Sequence, residues 1–229
     1  MVSTITASRI VGILILAQMI GGGLVNFVLE APLFGTPGFL VGAAAHSLQI
    51  GVAALLGIVL GALAVAIAIT AFPLFRQYSQ AMAIWLVALA VVGLALNAVE
   101  NMNVMSMLSL SEAYAKAGAA NRDQFEALRV VVASARNWAH FIALVIAGCT
   151  LFVFYAVLYR FALVPRLLAA FGLVAVILQI TAVAMPIFGR DVLFVLLAPL
   201  GVCQLVLAIW LIVKGFRGQA RPANERGDG

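Results

Sequence analysis

Six long runs of apolar residues, separated by short segments rich in charged and turn-forming residues, set the pattern of this chain. Each run is about 20 residues long, which is the length that an α-helix needs to cross the hydrocarbon core of a bilayer. We therefore predict an all-α, polytopic integral membrane protein with six transmembrane helices in one bundle. The predicted membrane domain covers residues 1–216, with spans at about 10–29, 47–72, 81–99, 138–159, 167–186 and 192–213.

Proline and glycine mark several ends of these runs. Residues 30–38 contain two prolines and two glycines and are typical of a turn after span one. Pro73 is expected to end span two, and Pro165 to begin the turn into span five. Pro199 lies within the sixth run and is expected to kink that helix.

The segment between spans three and four differs from its surroundings, because residues 108–135 hold six charged residues. Apolar residues recur at helical spacing from Phe125 to Val132. Asn121 with Gln124 fits a capping box at the start of a helix. We predict an amphipathic helix on the outer side of the membrane that runs into span four.

Composition agrees with a membrane solvent, since 66% of the residues are hydrophobic and only 9% are charged. A soluble domain of this length would carry about 25% charged residues. The net charge of +5 does not indicate a nucleic-acid partner, because the basic residues lie at span ends and in the tail. The expected partner is the lipid bilayer.

The distribution of basic residues predicts the orientation. With both termini in the cytoplasm, eight Lys and Arg residues lie inside and five outside, as the positive-inside rule requires. The polar tail, residues 217–229, is then a disordered cytoplasmic segment. The five outer residues are Lys116, Arg122, Arg129, Arg136 and Arg190.

Several polar residues are predicted to share one depth at the outer membrane interface. Counted at 1.5 Å per residue from the opposite end of each helix, Glu30, Glu100 and His140 lie about 30–33 Å away. His46, counted from Pro73, lies about 40 Å away and therefore slightly farther out. The candidate ligand-binding residues of this polar pocket are Glu30, His46, Asn97, Glu100, Asn101, Arg136 and His140.

Three interpretations of this pocket remain open. The residues could form a structural network, with a Glu100–Arg136 pair joining spans three and four. They could bind a small or lipidic ligand or a membrane partner, which is the favoured function and a non-enzymatic one. They could also form a metal- or haem-dependent enzyme using His46, Glu100 and His140. No pair of ligands has the spacing of a known metal motif, so no cofactor is predicted. The oligomeric state does not follow from the sequence.

Two patterns in the second half resemble a known family. The first is FYAVLYR at residues 154–160, followed by LVPR at 163–166 and Gly172-Leu173. The second is Ala198-Pro199 with AIWLIVKGF at residues 208–216. Both are similar to the uncharacterised bacterial membrane family called domain of unknown function 4386. The resemblance implies a compact helical domain of the bacterial cytoplasmic membrane, and it brings no established activity or cofactor.

Overall fold

A computed structural model describes residues 4–117 and 121–217 of the chain. These residues form helices and turns without a strand, and six helices are long and apolar enough to cross a membrane. The predicted all-α, six-span membrane protein is therefore confirmed. The spans are Thr4–Leu29, Ala44–Phe75, Gln80–Ala117, Arg122–Arg160, Arg166–Phe188 and Phe194–Val213.

In the described ranges, eight α-helices and four shorter helical turns form the spans and the connection after the first span. The α-helices are α1 (Thr4–Leu24), α2 (Ala31–Phe34), α3 (Phe39–Gly42), α4 (Ser47–Phe75), α5 (Gln80–Ala117), α6 (Arg122–Arg160), α7 (Arg166–Ala184) and α8 (Ala198–Val213). A π-helical turn, Val25–Leu29, extends α1, and a 3-10 turn, Ala44–His46, leads into α4. Two further 3-10 turns, Met185–Phe188 and Phe194–Leu196, flank the connection from α7 to α8.

The six long helices form a closed ring. Each packs against the long helix that precedes or follows it, and α8 packs against α1 to complete the circle. At this seam a Cβ atom added to Gly12 would lie 2.7 Å from the carbonyl oxygen of Ala208, so glycine permits the close approach. We call the end where α1 begins and α8 ends the termini end, and the opposite end, where α5 joins α6, the hairpin end.

Two apolar clusters hold the ring together. The larger one, toward the termini end, includes side chains from all six long helices, with Tyr155, Phe75 and Leu158 among its fully buried members. The smaller one lies at the hairpin end and joins the α2–α3 connection to α5 through Leu33, Phe39 and other buried residues. The connection is therefore packed down on the bundle.

Four local expectations differ from the structure. Pro73 does not end the second span, because α4 continues past it to Phe75. The predicted outer segment, residues 108–135, is divided between the end of α5 and the start of α6, because residues 102–117 contain no glycine or proline to end α5. The capping box is wrong: Asn121 has a left-handed backbone (φ 63°), and its side chain makes no capping hydrogen bond. Pro199 does not kink α8, because it lies in the first turn, where a proline removes no helical hydrogen bond. The predicted disordered tail lies, from residue 218 onward, outside the described residues.

Candidate functional site

The site is built where α1 ends. The π-helical turn closes with a hydrogen bond from the backbone N–H of Glu30 to the carbonyl oxygen of Val25, 2.9 Å long. Glu30 then precedes α2, whose first turn contains Pro32. A residue near a following proline is poorly suited to continue a helix, so the sequence ends α1 at this point. The bend directs the Glu30 side chain into the bundle, where only 4% of it is exposed.

Four ionisable side chains meet at this position. Nη2 of Arg136 donates hydrogen bonds to Oε2 of Glu30, at 2.9 Å, and to Oε1 of Glu100, at 3.0 Å. Nδ1 of His140 donates to the same Oε1 of Glu100 at 2.7 Å. Arg136 and His140 lie one turn apart on α6 and therefore share a face. We call Glu30, Glu100, Arg136 and His140 the charged cluster.

Arg136 is the centre of the charged cluster. Its side chain is only 7% exposed, and the ring of Phe34 in α2 lies over its guanidinium at 4.5 Å. Nη2 contacts both carboxylates, but Nε is buried and has no hydrogen-bond partner among the residues that the structure describes. A buried donor without an acceptor is unfavourable by about 1–3 kcal/mol. Nε of Arg136 can therefore donate one further hydrogen bond.

The charges of the cluster do not balance. Two carboxylates face one guanidinium, so the cluster carries one excess negative charge whenever the imidazole of His140 is neutral. Glu30 lies one residue beyond the first span, and its burial raises the pKa of its carboxyl, which outweighs the opposite effect of the nearby Arg136. The ion pair at 2.9 Å does not overcome this burial, because the same guanidinium also serves Glu100. The cluster thus favours one additional positive charge.

Asn97 and Asn101 form a separate pair on α5. Nδ2 of Asn101 donates to the carbonyl oxygen of Asn97 at 2.8 Å and to its Oδ1 at 3.2 Å. Their amides face α4, where a Cβ added to Gly57 would lie 2.7 Å from Oδ1 of Asn101. In the described ranges no hydrogen bond joins this pair to the charged cluster. Asn101 lines a mostly apolar groove of about 920 Å³ between α4 and α5, which also includes Ser47 and Ser106.

His46 lies away from the charged cluster. It is exposed at the end of the 3-10 turn before α4, and its Nδ1 is 2.9 Å from the carbonyl oxygen of Gly42. The part of the chain that the structure describes contains no group of three or more His, Cys, Asp or Glu residues arranged to hold a metal ion. The arrangement therefore does not unite His46 with Glu100 and His140, as the enzyme hypothesis requires.

Two residues at the hairpin end make contacts that were not predicted from the sequence. Phe34 covers Arg136, although its position in a short turn gave no signal of this role. The buried hydroxyl of Ser111 donates to the carbonyl oxygen of Leu40 at 3.0 Å and accepts from the N–H of Ala44 at 2.9 Å. Ser111 lies seven residues after Val104, which places both on the buried face of α5. This spacing could have indicated that Ser111 is buried.

Comparison with known protein families identifies a match over most of the chain. A family model described as "Domain of unknown function (DUF4386)" matches residues 10–215, which is most of the chain. No curated protein and no solved structure matches the chain.

Proposed function

Because the chain belongs to the DUF4386 family, whose function is unknown, we propose a function from the site itself: non-enzymatic binding of a small or lipidic ligand that carries a positive charge. The charged cluster at the hairpin end would bind the positive group. The observation that carries the proposal is the charge count, with two carboxylates for one guanidinium.

A purely structural ion pair would not need this composition. Burying charges is unfavourable, and each partner must be compensated by hydrogen bonds and opposite charge. Arg136 with Glu100 alone would join α5 to α6, yet Glu30 adds a second, more deeply buried carboxylate. Ionisable groups kept at membrane depth are commonly functional, and a cationic ligand would compensate the excess charge here.

The exposure of the cluster favours entry from one side. The side chains of Glu30 and Arg136 are 4% and 7% exposed, whereas those of Glu100 and His140 are 13% and 23% exposed. A ligand would therefore approach along Glu100 and His140.

We also propose that both termini face the cytoplasm of a bacterial cell and that the charged cluster faces its exterior. The supporting observation is the sign of the charges at the two ends. In the described ranges every Asp and Glu lies toward the hairpin end, and all the charged residues at the termini end are basic. This matches the excess of Lys and Arg that is usual in cytoplasmic loops.

Thermal unfolding of the purified protein in detergent tests the binding proposal. Ethylammonium chloride, compared with sodium chloride at equal ionic strength, should raise the melting temperature of the wild type. Glu100→Gln should abolish the increase, whereas Glu112→Gln, a change of the same kind on α5 outside the cluster, should keep it. An equal response in Glu100→Gln, or no response in the wild type to either salt, would overturn the proposal.

A second arm distinguishes a free amine from a lipid headgroup. The protein is compared in nanodiscs of phosphatidylethanolamine and of phosphatidylcholine, which present a primary and a quaternary ammonium group. Greater stability in phosphatidylethanolamine, lost in Glu100→Gln, would assign a lipid headgroup. A response to ethylammonium alone would assign a small amine.

The metal- or haem-dependent enzyme receives no support from a specific contact. Within the described residues no hydrogen bond joins His46 to Glu100 or to His140. We therefore do not propose it as a second function.

A further inference from the structure

The termini end of the bundle carries a one-sided distribution of charge. Every described Asp and Glu residue lies toward the opposite end, and six basic residues surround the termini end: Arg9, Arg76, Arg160, Arg166, Lys214 and Arg217. Such an end attracts anionic lipid headgroups.

A groove of about 570 Å³ opens at this end between α6 and α7, and Met82 of α5 also lines it. Its inner part is apolar and includes Phe152, Ala156 and Leu173. Its rim consists of Tyr159 and Arg160, where α6 ends, and Arg166, where α7 begins. None of the residues that line it is acidic. The apolar part of the groove therefore ends beside two cations, at the depth where lipid headgroups are expected.

The two arginines are available to a ligand. Neither Arg160 nor Arg166 forms an ion pair or a side-chain hydrogen bond with any residue in the described part of the chain. Both are exposed, and the guanidinium of Arg160 lies 5.6 Å from the ring centre of Phe161. Their donors therefore remain free for an anion.

The turn that carries the arginines is held firmly in place. Leu163 and Val164 between them are fully buried. The N–H of Leu163 donates to the carbonyl oxygen of Leu158 at 3.1 Å, and the carbonyl oxygen of Leu163 accepts from the N–H of Arg217 at 2.7 Å. The backbone positions of the two arginines are thus fixed before a ligand arrives, which reduces the entropy lost on binding.

We infer that this groove binds an anionic phospholipid. Its phosphate would lie between Arg160 and Arg166, and one acyl chain would follow the apolar residues between α6 and α7. Arginine suits this role because its guanidinium donates paired hydrogen bonds to phosphate oxygens. The inference does not depend on the charged cluster, which lies at the opposite end of the bundle.

The experiment measures the melting temperature of the full chain in detergent with added phosphatidylglycerol or phosphatidylcholine. Phosphatidylglycerol should raise the melting temperature of the wild type more than phosphatidylcholine does. The variant Arg160→Gln/Arg166→Gln should lose at least half of this difference. The matched control Arg76→Gln/Lys214→Gln removes the same charge from the same end and should keep it.

Three results would overturn the inference. The first is an equal loss in the control pair, which would indicate a diffuse attraction to the whole end. The second is an undiminished effect in Arg160→Gln/Arg166→Gln. The third is an equal increase caused by soluble glycerol phosphate, which would indicate a phosphate site without a lipid.

A conservative pair keeps the test valid if the glutamine variant does not fold. Arg160→Lys/Arg166→Lys retains both charges but loses the paired donors. The increase in its melting temperature caused by phosphatidylglycerol should therefore be smaller than that of the wild type but larger than zero. Native mass spectrometry of the same samples should show bound phosphatidylglycerol retained by the wild type and reduced in this variant. Equal retention in both would contradict the inference.

Discussion

The imbalance of the charged cluster predicts that its members differ sharply in their importance for stability. Arg136→Met replaces the only permanent cation by an apolar side chain of similar length. It leaves the carboxylates of Glu30 and Glu100, only 4% and 13% exposed, without their counter-charge. Removing one partner of a buried ion pair is destabilising by about 3–5 kcal/mol. We expect about 3 kcal/mol, the lower end of this range, because Nδ1 of His140 still donates a hydrogen bond to Glu100.

Glu30→Gln should have a much smaller effect, although Glu30 is the more deeply buried carboxylate. The glutamine carbonyl oxygen still accepts the hydrogen bond from Arg136, and the cluster becomes neutral with a neutral His140. Glutamine also avoids the unfavourable burial of a carboxylate, which is the cause of the raised pKa of Glu30. The free energy of unfolding should therefore change by less than about 1 kcal/mol.

The assay is unfolding of the detergent-purified protein by SDS titration, monitored by the reaction of a fluorescent dye with Cys203, which is buried in the folded bundle. Cys149, which is partly exposed, is replaced by alanine in every variant. Arg129→Met is the matched control, since it breaks the exposed Arg129–Glu126 pair on the same helix and should change the free energy by at most about 1 kcal/mol. If Glu30→Gln destabilises the protein as much as Arg136→Met, the cluster does not carry an excess negative charge. If Arg136→Met lowers the free energy of unfolding as little as Arg129→Met does, the charged cluster behaves like a solvent-exposed ion pair.

Three other predictions concern pH, packing and the connection above the cluster. Because the pKa of Glu30 is raised in the folded protein, its contribution to stability is complete below the ordinary value of 4.5 and is lost as the pH rises through the folded value. The melting temperature of the wild type relative to Glu30→Gln should therefore fall as the pH rises from 4.5. A difference that stays constant with pH would contradict this prediction. Gly57→Ala should destabilise the protein by about 1–3 kcal/mol, because the added Cβ would meet the side chain of Asn101, which Asn97 holds in place. Gly51→Ala on the same helix has nothing within 4 Å and should stay within about 1 kcal/mol of the wild type, so similar effects of the two changes in thermal unfolding would refute the packing argument. Ser111→Ala removes both hydrogen bonds to the connection and should speed hydrogen exchange in residues 39–46, with unchanged exchange as the opposing result.

The sequence predicted the number of spans well, because hydropathy and length alone decide which segments can cross a bilayer. It predicted the ends of α5 and α6 poorly. Polarity rises after Val99, but a helix ends only where its backbone is interrupted, and α5 continues to Ala117. The lipid-facing length and the helical length are thus set by different properties of the chain.

The candidate site was predicted in part. A constant rise per residue was sufficient to bring Glu30, Glu100 and His140 to one level, and Arg136 follows from its spacing to His140. The rise says nothing about which way a side chain points around the helix axis. Asn101 follows Glu100 directly, yet it faces α4, whereas Glu100 faces α6.

His46 shows a further limit of counting along a helix. Its estimated height of about 40 Å already placed it beyond the other groups. The backbone before α4 then bends through α3 and a 3-10 turn, so the imidazole contacts Gly42 and not the cluster. Only the path of the connection, which depends on contacts such as those of Ser111, decides this.

The seam between α1 and α8 has a consequence for biogenesis. The other main contacts of the ring join spans that are consecutive in the chain, so each pair can associate as soon as both have entered the bilayer. The face of α1 around Gly12 must instead wait until the ribosome has delivered Ala208 and the helix around it. Until then lipid has to cover this face, so the contact that closes the ring is the last of the main contacts to form.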